Sequence, residues 1–198
     1  MAANSSESRA SGGMPAAGSG VDESAIIVPV QVPVAVNRLR DRMDSSAAPG
    51  VPAHVTLIYP FMPADMLKDD VRRRIEQIVA MEPAFSFTLS TMGRWPNVVY
   101  LAPEPAEPFR RLTRALAEAF PDYPPYEAAH DDVVPHLTIA QDVPDDYYAA
   151  AEHVLPGMLP IRDVAREAWL IGHTPDQPWH TLWRLPFGPA RGGAAPGR

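Results

Sequence analysis

One five-residue unit occurs twice in the chain, as His54-Val55-Thr56-Leu57-Ile58 and as His136-Leu137-Thr138-Ile139-Ala140. Each is an apolar, β-branched-rich run with a polar side chain at every second place, the pattern of a strand whose two faces meet different surroundings. Side chains alternate across a strand, so His54 and Thr56 share one face and Val55 and Leu57 the other; His136 and Thr138 repeat the split. With six histidines and seven threonines in 198 residues, chance supplies about 0.2 His-x-Thr triplets, the false-positive risk every short motif carries. Two are present. Any fold for this chain therefore has to place two similar strands, and the economical solution lines one cleft with two imidazoles and two hydroxyls.

The length suits one domain with a full core or two small lobes sharing one, and an apolar content of 46% suits a folded body. The chain has no cysteine, which excludes disulfides, a thiol nucleophile and Cys-ligated metal, and points to a cytoplasmic setting. No apolar run approaches the roughly 18 residues that span a bilayer, and the N-terminus lacks the order of a secretion signal, so no membrane association is expected. A formal charge of −7 argues against holding long nucleic acid by phosphate neutralisation but leaves room for a small phosphate ester or an RNA end.

In chain order, residues 1–23 and 188–198 read as disordered tails around a single domain at 24–187. A strand over 25–30, interrupted by Pro29, leads to a helix from Pro33 to about Met43 with Val36, Leu39 and Met43 inward and Arg38, Arg40 and Arg42 toward water. A loop over 44–52 delivers the first His-x-Thr strand. Asp65 is placed to cap a helix over 66–80. Phe85–Leu89 and Asn97–Leu101 read as a hairpin turning at Trp95-Pro96-Asn97. A helix over 106–119 precedes a long Pro-rich loop, 121–135, which enters the second His-x-Thr strand. A helix over 144–155 and strands over 161–172 and 178–187 close an α+β order of largely antiparallel strands.

These motifs, the first continuing as Tyr59-Pro60-Phe61 and the second introduced by Pro135, resemble the 2H phosphoesterase superfamily, and within it the bacterial 2′-5′ RNA ligase-like, or LigT-like, proteins. The resemblance covers residues 24–187 in element order. It implies a bilobal α+β fold of two antiparallel sheets, related by a pseudo-two-fold, with helices outside and a cleft between. It also implies metal-free hydrolysis of 2′,3′-cyclic phosphates of nucleotides or RNA ends, with His54 and His136 as the acid–base pair and Thr56 and Thr138 as phosphate ligands. No cofactor is implied, and a monomer is expected. The chemistry suits the residues: imidazole ionises near pH 6.5 and can take or give a proton, and hydroxyls fixed on a stiff strand can donate to phosphate oxygens.

Other residues carry weaker signals. Tyr59 and Tyr126 are candidates for stacking on a base, with Phe61 and Trp95 equally explained by core packing. His130, Asp131 and Asp132 beside His136 are metal-type donors, for which a solvated acidic loop is the plainer account, and no metal is assigned. His153, His173 and His180 read as surface or packing histidines, and Arg72-Arg73-Arg74 as the wet face of a helix. Two other readings stay open: a module that binds a nucleotide or phosphometabolite without turnover, and the same scaffold redeployed on a non-nucleotide substrate.

Overall fold

The structure, a computed structural model, describes residues 23–47, 50–128, 133–174 and 177–189. Strand β1 (Glu23–Pro29) is followed by helix α1 (Val34–Met43), strand β2 (His54–Ile58), helix α2 (Asp69–Val79), the hairpin β3 (Phe85–Trp95) and β4 (Val98–Glu104), and helix α3 (Glu107–Ala119). Strand β5 (Leu137–Gln141), helix α4 (Asp145–Val154) and strands β6 (Ile161–Ala165), β7 (Glu167–Thr174) and β8 (Gln177–Pro186) complete it. The strands form two antiparallel sheets of four, in the orders β2-β1-β7-β8 and β5-β4-β3-β6. Both His-x-Thr strands are edge strands, each paired with the strand before it in sequence and reached through an intervening helix.

Register decides what each face carries, because residues directly opposite in neighbouring strands project to the same side. In the first sheet Ile26, Val28, Val55, Leu57 and Leu170 are fully buried in the main core. Thr56 pairs with Ile27, and Ile27 with Trp169, on the other side. In the second sheet Leu137 and Leu101 belong to the main core, whereas Thr138 pairs with Tyr100 and Tyr100 with Gly93. Each sheet thus gives one face to packing and keeps its motif threonine on the opposite one. The main core takes side chains from both sheets and from all four helices, including Phe109, Leu112 and Leu116 of α3. Helix α3 packs against β2 and helix α1 against β5, so each motif strand is backed by the helix that leads to the other, and β2 also touches β5.

Several elements differ from the sequence reading. Helix α2 starts at Asp69 after a short 3-10 turn at Ala64–Met66, with Lys68 rather than Asp65 at its N-cap. Asp69 and Asp70 fill its first turn, where carboxylates favour the helix dipole. The continuous strand expected over 161–172 is two strands belonging to different sheets. Arg166, exposed between them, accepts the Phe187 amide at 2.9 Å where the chain crosses from one sheet to the other. Apolar pattern alone runs through that crossing, since only the partners change. Ordered pairing extends slightly past the expected domain limits: Glu23 lies in β1, and the Gly188 amide donates to the Glu82 carbonyl at 2.8 Å. Residues 1–22 and 190–198 of the expected tails lie outside the described residues, as do His130, Asp131 and Asp132.

Candidate active site

The chain enters each motif through a carbonyl that fixes its imidazole. His54 Nδ1 lies 2.7 Å from the Pro52 carbonyl and His136 Nδ1 lies 2.8 Å from the Val134 carbonyl, the same two-residue offset in both. A carbonyl only accepts, so each ring carries its proton on Nδ1 when neutral, and Nε2 is the nitrogen that exchanges protons. Both rings are buried, at 8% and 6% exposure, while Thr56 and Thr138 are half-buried. His136 is near enough for its charge to act on His54. The four motif side chains therefore belong to one neighbourhood, although 82 positions separate the histidines in sequence.

Around the first motif a hydrogen-bond relay forms. His54 Nε2 is 3.1 Å from Thr56 Oγ1, and Tyr126 bonds to the same hydroxyl. Neutral Nε2 accepts, so Thr56 gives it its only proton, and the Tyr126 hydroxyl in turn donates to Thr56. Burial is the main cause that pushes the Tyr126 phenol up to about 12, so it remains a donor at neutral pH. Tyr126 sits in the left-handed region at φ 52°, and its amide donates to the Tyr59 carbonyl at 2.7 Å. A bulky residue rarely holds that conformation unless its surroundings impose it, a pattern common at functional sites.

Charge also gathers here. Arg40, expected on the wet side of α1, is buried at 3% exposure. Its Nε donates to the Thr138 carbonyl at 3.0 Å and its Nη2 to Asp44 Oδ2 at 2.6 Å. The other Asp44 oxygen accepts from the Ser46 amide at 3.0 Å and the Ser46 hydroxyl at 2.7 Å. A helical position facing the opposite sheet overrides the polarity of the residue type, and i,i+4 spacing supplies the partner that makes burial tolerable. Burial is the main cause that lowers His54 to about 4; the Arg40 charge adds to it, with a smaller contribution from His136, while the bond to Pro52 and the Asp44 carboxylate oppose it. His54 is therefore neutral at pH 7 in the ligand-free protein.

The second motif is walled by aromatic rings. Trp95 meets His136 edge-on at 4.8 Å between centroids and Tyr100 does so at 5.6 Å, while Trp95 and Tyr100 stack at 4.1 Å. Gly93 makes this possible: a Cβ there would lie 2.2 Å from Tyr100 Cζ. Tyr100 carried no signal in sequence, because a strand tyrosine looks the same whether it faces a core or a site.

The stacking candidates fall in different places. Tyr59 is 8% exposed, donates its hydroxyl to Glu23 Oε2 at 2.9 Å and packs with Ala25, Ile27, Val51, Ile171 and Trp179 in a second, smaller apolar cluster. Phe61 lies in the main core against Phe120 and Tyr123. His153 is exposed on α4, His173 packs near Trp179, and His180 borders a cavity of about 160 Å³ whose walls include Pro52, Trp169 and Trp179. Arg72, Arg73 and Arg74 are exposed on α2. Among the described residues no three His, Cys, Asp or Glu side chains gather as metal ligands, and no helix is long and apolar enough to cross a membrane.

Comparison with known proteins points in one direction. A protein of Geobacillus kaustophilus named "Putative phosphoesterase" is 29% identical over 128 residues, spanning 63% of this chain and 70% of its own length. Another from a Geobacillus species is 31% identical over 117 residues, spanning 57% and 64% respectively. Among solved structures, apo LigT of E. coli superposes with a TM-score of 0.52 at 15% identity, covering 86% of this chain and 99% of that one. The same protein complexed with NADP+ gives 0.51 at 16% identity over 86% and 99%. TT0787 of Thermus thermophilus gives 0.53 at 19% identity over 83% and 97%. The two antiparallel four-stranded sheets and four helices described above are thus those of the LigT-like fold. Residues 28–176, which contain both motifs, match the model of the 2′-5′ RNA ligase superfamily, and the chain belongs to that family.

Proposed function

We propose that the protein is a metal-independent phosphodiesterase that hydrolyses the 2′,3′-cyclic phosphate of a nucleotide or RNA end, with His54 and His136 as base and acid. The observation that carries this reading is the duplicated His-x-Thr unit, each copy at the edge of its own sheet with its ring held through Nδ1 by the carbonyl two residues before. Two imidazoles presenting Nε2 in one neighbourhood suit an in-line displacement, which needs a proton removed on one side of phosphorus and supplied on the other. The relatedness to phosphoesterases supports the reaction class, and the NADP+ complex of E. coli LigT supports a small nucleotide as ligand.

In this reading Thr56 turns its hydroxyl from His54 to a non-bridging phosphate oxygen when substrate enters, Tyr126 continuing to brace it, and Thr138 donates to another. The turn releases His54 Nε2, which takes a proton from water as the water oxygen bonds to phosphorus. The P–O bond to one ribose oxygen breaks, and that oxygen takes a proton from His136 in its imidazolium form. The product is a 2′- or 3′-phosphomonoester, and the two rings return to their starting states through solvent. A bound phosphate anion favours the charged form of His54, so the ring becomes a stronger base in the complex than in the empty protein.

The test is a screen of 2′,3′-cyclic nucleotides and cyclic-phosphate-ended oligonucleotides in EDTA, comparing the wild type with His54→Ala/His136→Ala. Turnover by the wild type alone is expected. Equal turnover by the double variant would end the assignment. Binding seen as thermal stabilisation with no product by phosphorus NMR would favour a non-catalytic module instead.

A further inference from the structure

The reading above uses the two histidines and the relay to Tyr126 but leaves a buried ion pair without a task. Arg40 and Asp44 are each 3% exposed, and the catalytic scheme asks neither to touch substrate. Buried pairs of this kind contribute little to stability compared with apolar residues of the same volume, so fold maintenance alone is a weak account of one. Its connections are more specific. Arg40 lies on α1, the helix that leads into the first motif, yet its Nε bonds the backbone of Thr138 in the second. Its other contact, Asp44, stands at the C-cap of the same helix and is itself held by the amide and hydroxyl of Ser46. Asp44 also forms an isolated bridge with Gln141 at the far end of β5. Strand β5 is thereby gripped at both ends by one helix terminus, and the grip is rigid because guanidinium and carboxylate are planar forks that fix direction as well as distance.

We propose that Arg40, braced by Asp44, is the positioning residue that sets the spacing of the two His-x-Thr units, by tying the helix before the first to the main chain of the second. The inference rests on the phosphodiesterase reading for its kinetic consequence but not for its geometry. Sub-ångström registration between acid, base and phosphate ligands is where rate is most sensitive, a misplacement of about 1 Å being worth about 100-fold. The link acts at the backbone of the residue whose hydroxyl is assigned to phosphate.

Two variants test it. Arg40→Met/Asp44→Asn removes both charges together, leaving no unpaired ion buried, and keeps an acceptor for Ser46. Arg40→Lys keeps the charge opposite Asp44 but cannot hold both partners with one fork. For the double variant the expected result, with a cyclic nucleotide as substrate, is kcat about 30–100-fold lower with KM changed less than about threefold. Arg40→Lys is expected to melt close to the wild type and still to lose about tenfold or more in kcat. Wild-type kcat in either folded variant overturns the proposal. Should the wild type turn over none of the cyclic nucleotides, the activity reading fails on its own, and the positioning inference is read from calorimetric titration with inorganic phosphate. There Arg40→Lys and the double variant are expected to bind about tenfold more weakly than the wild type, and unchanged affinity overturns it.

Discussion

The two His-x-Thr units share a sequence pattern, a register and a tautomer, yet they live in different surroundings. The first is set among charges: Arg40, Asp44 and the Tyr126 to Thr56 relay converge on His54. The second is set among rings, with His136 against the edges and faces of Trp95 and Tyr100. What repeats is what five residues and their entry can encode, namely side-chain alternation and the carbonyl two positions back. What differs is supplied by elements distant in sequence. A symmetric pair of motifs thus becomes an asymmetric pair of sites, one in which burial and the Arg40 charge hold the ring of His54 neutral at pH 7 and one in which aromatic rings enclose His136.

The largest effect that sharpens this contrast is kinetic. His54→Ala and His136→Ala should each lower kcat/KM by about 10²–10⁴-fold, and the double variant should fall little below the worse single one, because acid and base act as a unit. Additive losses would mean two independent sites. Next comes Arg40→Met alone, which leaves the Asp44 carboxylate buried and unpaired and should cost about 3–5 kcal/mol in denaturant unfolding. Removing Arg72, whose pair with Glu76 is exposed, should cost at most about 0.5 kcal/mol. Similar losses would contradict the burial of the first motif's charges.

The pH dependence follows from His54. Its folded pKa of about 4 lies below the value of 6.5 expected in the unfolded chain, so the unfolded state binds more protons in between. The full contribution is present above pH 6.5 and is lost as pH falls through that window toward 4, amounting to about 3 kcal/mol. Urea unfolding of the wild type against His54→Gln should show that acid-side slope in the wild type only, and parallel curves would remove the asymmetry argued for the two rings. Gly93→Ala probes the aromatic side. The added methyl meets the Tyr100 ring, so a loss of about 1–3 kcal/mol is expected together with a shifted His136 ring resonance. The smallest effect within the site itself is Tyr126→Phe, which removes one hydrogen bond to Thr56 and should cost about 1 kcal/mol of stability.

The same division explains what was legible in the sequence. Both motif strands, the β3–β4 hairpin and helices α1, α3 and α4 follow from periodicity and turn residues. Pro96-Asn97 is a case in point, with Asn97 at φ 63° in the tight turn its residue type tolerates. The belonging of β6 and β7 to different sheets did not follow, because pairing partners leave no mark on alternation. Neither did Arg40. An arginine between two other arginines on a short helix looks solvated, and only the strand lying across α1 turns it inward. Tyr59 and Phe61, which continue the first motif, are held by Glu23 and by Phe120, neither of which is near them in sequence.

The central claim is that His54 and His136 face a single phosphate-sized space. Titration of the wild type with a nucleoside 2′-monophosphate, followed by the ring resonances of both histidines, tests it directly. The account predicts that the two signals move together along one binding curve with one Kd, and that His54→Ala weakens the response of His136. Movement of one ring alone, or two curves with different Kd values, would contradict it.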